Sequence, residues 1–81
     1  MNDVSRLLFL FDAYAAAVGQ ADATVSTRFL GRGTRINELR GGGDMGSRKI
    51  AAVMREFSKE WPEGVEWPAE IERPVNDGEA A

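Results

Sequence analysis

The sequence predicts an all-α fold of about four helices, and three observations predict it. Apolar residues recur at spacings of three and four in two long stretches, glycines and a proline fall where those stretches end, and strand signals are weak throughout. A chain of 81 residues is expected to form one domain, because independent cores usually need about 50–200 residues.

The first helix follows from Val4, Leu7, Leu8, Phe11, Tyr14, Ala15 and Val18, which share one face of a 3.6-residue repeat. Ala13, Ala15, Ala16 and Ala17 add propensity, Asn2, Asp3 or Ser5 can cap the start, and Gly19 stops it. A shorter helix is expected over Asp22–Leu30, with Asp22 as the cap, Val25 and Phe29 as a narrow apolar stripe, and Gly31 and Gly33 at its end. Thr34–Arg40 has only Ile36 and Leu39 as apolar anchors and reads as one and a half helical turns or a loop. The glycine-rich run from Gly41 to Gly46 is a break in which the backbone has unusual freedom. The last helix is expected over Ser47–Glu60, with Ile50, Val53, Met54 and Phe57 inward, Trp61 closing the stripe and Pro62 terminating it. Beyond it, Pro68, Pro74, Val65, Trp67 and many acids suggest an acidic strap pinned by Trp67 that frays after Pro74. The expected division is therefore a folded domain over residues 1–68 and an extended or disordered acidic tail over 69–81.

Composition removes several kinds of chemistry. The chain has no Cys and no His, which excludes a Cys/His zinc site, a disulfide framework, a Cys nucleophile and a histidine general base. No paired-carboxylate site stands out either, so neither an enzyme nor a cofactor is expected. The most strongly apolar run, Leu7 to Phe11, falls far short of the roughly 20 residues that cross a bilayer. It also lacks the flanks of a signal peptide, and the expected location is the cytoplasm, away from any membrane.

Net charge is −3, which at first argues against a polyanionic partner. Position reverses that impression. Residues 1–23 carry one base and three acids, residues 24–55 carry seven bases and two acids, and residues 56–81 carry two bases and eight acids. The net charges are −2, +5 and −6, so a basic centre lies between acidic flanks. Local potential rather than total charge attracts a phosphate backbone. The centre holds six Arg against one Lys, and the planar guanidinium fork suits phosphate and the guanine edge.

Tyr14 to Leu30 spans a helix ending in Gly19, a three-residue polar turn, and a short helix opening on small and hydroxyl residues. This is the pattern of a helix-turn-helix unit. Ala15 is small where the second helix crosses close to the first, Val25 plugs into the first helix, and Thr24, Ser26, Thr27 and Arg28 are expected on the outer side.

Ala15, Gly19, Ala23, Thr24, Val25 and Ser26, in the arrangement Ala-x-x-x-Gly-x-x-x-Ala-Thr-Val-Ser, resemble the helix-turn-helix of lactose-repressor-type proteins. That resemblance implies a second helix lying in the DNA major groove. Asp22, Ala23 and Thr27 would then approach base edges, with Gln20, Ala21, Thr24 and Ser26 near phosphates. The family usually has an apolar residue where Gln20 stands and Val or Ile where Arg28 stands. Phe29 can serve the same face, and the accompanying rotation would turn Arg28 toward bases.

A second resemblance overlaps the first. Leu39 to Phe57 is similar to the end of the phage Cro/repressor helix-turn-helix domain, in which a recognition helix runs into a glycine, a polar loop and a closing amphipathic helix. In that register Arg35 and Asn37 would read bases, and Thr34 and Arg40 would meet the backbone. Arg32, between two glycines, and Ser47, Arg48 and Lys49 at the start of the last helix are further phosphate candidates. The stretch Glu60 to Pro68 resembles endings of small helix-turn-helix proteins of bacterial and prophage genomes.

The expected function is sequence-specific binding of double-stranded DNA by a small autoregulatory or prophage-type repressor, acting as a homodimer on a palindrome in the bacterial nucleoid. An excisionase-like architectural protein and an antitoxin with a partner on its acidic tail are alternatives within the same class. Outside it stands an acidic interaction or inhibitor module that mimics DNA.

Overall fold

A computed structural model describes residues 2–74. Among them the chain forms four helices and no strand: α1 (Asp3–Val18), α2 (Asp22–Leu30), α3 (Arg35–Arg40) and α4 (Ser47–Glu60). The expected segment thus resolves as helix over Arg35–Arg40, with Thr34 as its N-cap, because Ile36 and Leu39 are both buried and tie it to the core. The fraying expected after Pro74 lies outside the described residues.

Helix α1 starts where the Asn2 side chain accepts the Ser5 backbone N–H at 2.8 Å, and it ends at Gly19, whose φ of 68° is left-handed. Its buried face is Leu7, Leu10, Phe11, Tyr14 and Ala15. Leu10 was not expected inward, while Leu8 and Val18 are only half-buried. The stripe is displaced because α1 packs against all three other helices, so its buried arc is wider than one flat face requires. Phe9, on the remaining side, is the one large apolar residue among the described ones that stays exposed.

Helix α2 departs from the expected cap. Its N-cap is Ala21 rather than Asp22, and that of α4 is Gly46; neither makes a side-chain cap bond. The Asp22 carboxylate instead accepts from Arg40 at 3.2 Å. At its C-terminal end, α4 stops at Trp61 (φ −60°, ψ 130°), whose extended backbone suits the position before Pro62.

The core centres on Phe11, Tyr14 and Phe57, with Phe29 of α2 stacked on Phe57 at a centroid separation of 4.2 Å. Trp61 and Trp67 lie 4.9 Å apart, and each indole N–H closes a turn of the strap, donating to the Val65 and Ile71 carbonyls respectively. The strap therefore packs rather than trails. Ile71 is buried and belongs to the core, and the Arg73 guanidinium lies over Trp67 and donates to the Ser58 carbonyl at 2.8 Å. Packed structure thus continues past residue 68, beyond the boundary expected from composition.

Candidate nucleic-acid interface

Helix α2 is the brace of the basic region. It contacts α1, α3 and α4, whereas α3 contacts α1 and α2 and keeps Asn37, Glu38 and Arg40 exposed. One side chain fastens the two together. The Ser26 hydroxyl donates to the Arg32 carbonyl at 2.6 Å and accepts the Ile36 backbone N–H at 3.2 Å. Ser26 is fully buried, so it cannot meet a phosphate, and its placement on the outer side of α2 is corrected. Nothing in the local sequence marks it, because a serine beside Thr24 and Thr27 looks like one more surface hydroxyl until α3 folds over it.

The other α2 candidates divide. Gln20, Ala21, Asp22, Ala23, Thr24 and Thr27 are exposed. The α2–α3 turn crosses part of that surface, since a Cβ at Gly33 would lie 3.3 Å from the Thr27 hydroxyl and 3.5 Å from the Ala23 methyl. Thr27 spends its hydroxyl on the Ala23 carbonyl at 2.9 Å. Arg28 does not rotate away from the body. Its guanidinium donates to the Tyr14 hydroxyl at 3.1 Å and to Glu60 at the end of α4, and lies 5.4 Å from the Phe29 ring centre. The cause is Phe29, which turns into the aromatic core and brings its neighbour with it.

Around α3 the arginines are organised by carboxylates. Glu38 accepts from Arg32 and, at 3.1 Å, from Arg35; Arg35 also donates to the Asp44 carbonyl at 2.7 Å. The Arg32 guanidinium is the main reason that the Glu38 carboxyl lies below its ordinary pKa, with Arg35 adding to the effect against the opposing pull of desolvation. Arg40 bridges Asp12 of α1 at 2.7 Å and Asp22 of α2 at 3.2 Å, with its guanidinium 5.7 Å from the Phe11 ring centre. Asn37 and Thr34 are exposed, and their side chains make no hydrogen bond among the described residues.

The loop after α3 folds back on it. Gly43 N–H donates to the Glu38 carbonyl at 2.8 Å, and a Cβ at Gly43 would sit 2.6 Å from that oxygen. Only glycine fits so close an approach. The loop then delivers Ser47, Arg48 and Lys49, all exposed, at the start of α4. Among the described residues Arg48, Lys49 and Arg55 form no ion pair.

No protein-family model, curated protein or solved structure matches the chain.

The arrangement offers hydrogen-bond donors rather than reactive groups. No set of three His, Cys, Asp or Glu able to hold a metal occurs among the described residues, and none of their helices is long and apolar enough to cross a membrane. Arg28, Arg32 and Arg40 keep 48%, 60% and 35% of their side-chain surface exposed despite their partners. Exposed ion pairs are worth about 0–1 kcal/mol, so these guanidiniums remain open to a further acceptor. Missed from sequence were the acceptors Glu38 and Asp12, and the pairing of Asp22, expected at base edges, with Arg40. The Arg35–Glu38 spacing of three was a readable signal, but the reach of Arg40 to two other helices was not.

Proposed function

We propose that the protein binds double-stranded DNA sequence-specifically as a small transcriptional regulator, with α3 entering the major groove and α2 bracing it. The observation that carries this reading is the Ser26 clasp, which locks α3 across the end of α2 while leaving its outer side open within the most basic part of the chain. Of the two resemblances, the Cro/repressor type fits this placement better, because its register puts Thr34, Asn37 and Arg35 on or beside the open helix. Arg40, Ser47, Arg48 and Lys49 would hold phosphates, fixing the register that base contacts then exploit. A unit of this size covers little DNA, so a homodimer on half-sites about 34 Å apart is the natural arrangement. A repressor in the bacterial cytoplasm is the reading that suits such a module.

Selection of random duplex DNA on the purified protein tests this. A two-fold symmetric motif, with affinity falling steeply between about 50 and 200 mM salt, is expected. Failure to enrich any sequence at low salt would count against it. One observation favours a second reading. Glu60, Glu63, Glu66, Glu70 and Glu72 are all exposed around the strap, a surface suited to a protein whose own ligand is nucleic acid. That alternative, a DNA-mimicking interaction module, gains if duplex DNA does not bind while a basic protein does.

A further inference from the structure

We propose that Glu38 is a positioning residue that presents the guanidinium of Arg32 to a guanine in the DNA target; this rests on the DNA-binding reading above. Arg32 stands between Gly31 and Gly33 in the α2–α3 turn, where its neighbours offer no side chain to pack against. Its backbone is nevertheless pinned, because its carbonyl accepts from the buried Ser26 hydroxyl. Its side chain is the most exposed of the paired arginines, at 60%, and its one hydrogen-bonding partner among the described residues is Glu38. Glu38 in turn accepts from Arg35, which the Asp44 carbonyl anchors at its other end.

A chain of contacts thus runs from the glycine loop through Arg35 and Glu38 to the tip of Arg32. Both ends of the Arg32 side chain are held while most of its surface stays open. A free arginine loses much rotamer freedom when it binds, and holding it in advance removes that cost. The fork matches the O6 and N7 acceptors of guanine. The same pair contributes little to folding, as exposed ion pairs generally do, so binding and stability can be read apart.

The sequence alone placed Arg32 among phosphate contacts, and the two roles give different results. A phosphate contact weakens binding to all sequences alike and lowers the salt slope by about one when lost, whereas a base contact relaxes one position of the site. Random duplex selection on the wild type, Glu38→Gln and Arg32→Lys, with melting temperatures measured alongside, separates them. Arg32→Lys keeps the charge and removes the fork. The expected result is one guanine position whose preference falls about tenfold in both variants, with melting temperature and salt slope unchanged. Preference at every guanine retained in either variant, or a uniform loss across all duplexes, overturns the assignment while leaving DNA binding in place. A wild type that enriches no sequence overturns the DNA reading itself.

Discussion

The Ser26 hydroxyl accepts the Ile36 backbone N–H while donating to the Arg32 carbonyl, so one buried side chain stitches α2, the turn and α3 together. The Ile36 N–H has no other partner among the described residues, whereas the Arg32 carbonyl also accepts the Arg35 N–H at 3.3 Å. Ser26→Ala leaves the Ile36 N–H unsatisfied, at a cost of about 1–3 kcal/mol. Thermal unfolding followed by circular dichroism should show a melting temperature lower by several degrees, roughly 4–8 °C per kcal/mol for a domain of this size. A shift under a degree would mean that the clasp holds nothing.

Gly43 is expected to be intolerant for a steric reason rather than a conformational one. Its φ is not in the left-handed region, yet a Cβ would lie 2.6 Å from the Glu38 carbonyl oxygen. Gly43→Ala must therefore break the bond between the loop and α3, and a loss of about 1–3 kcal/mol is expected. Gly41→Ala is the matched control. At φ −82° its new methyl would meet only ordinary contacts at 3.4 Å and beyond, so stability should change by less than about 1 kcal/mol. Equal denaturant midpoints for the two variants would contradict the argument.

Protonation of Glu38 gives a pH signature. Its folded-state pKa is lowered, chiefly by Arg32, so its ion pairs stabilise the fold fully above the unfolded carboxylate value. That contribution is lost as pH falls through the lower, folded value. Glu38→Gln should therefore lower the melting temperature slightly near neutrality, where the paired carboxylate contributes, and converge with the parent as pH falls below about 4, so that its acid limb is the flatter of the two. Parallel acid limbs for variant and parent would show that the carboxylate is not coupled to folding.

How much of this was legible before folding depended on whether a signal was local. The four helices were, because spacing, glycines and Pro62 mark them within the chain. So was the inward role of Val25 and Phe57. The burial of Ser26, Leu10 and Ile71 was not, because each is buried by an element far along the sequence: α3 and its turn for Ser26, the three-sided packing of α1 for Leu10, and the folding back of the strap for Ile71. At the candidate site, the basic centre could be read directly from charge. Its internal pairing could not, since Arg28 meets Glu60 across 32 residues and Arg40 meets Asp12 across 28.

The two registers make opposite demands on Arg28 and Asn37, and this supplies the sharpest test of the functional reading. Arg28 is bonded to Tyr14 and Glu60 on the α4 side of α2, whereas Asn37 stands exposed on α3, its side chain without a hydrogen bond among the described residues. If α3 reads the groove, Asn37→Ala should lower affinity for the selected operator by about tenfold or more, as loss of one good base contact does. Its affinity for unrelated duplex should hardly move. Arg28→Ala should then reduce operator affinity only slightly. If α2 reads the groove instead, the ranking reverses and Arg28→Ala abolishes specific binding. Asn37→Ala touches no buried group, so a melting temperature within about 2 °C of the parent is expected; Arg28→Ala takes a donor from the hydroxyl of buried Tyr14 and is expected to melt a few degrees lower, so binding is compared well below both transitions.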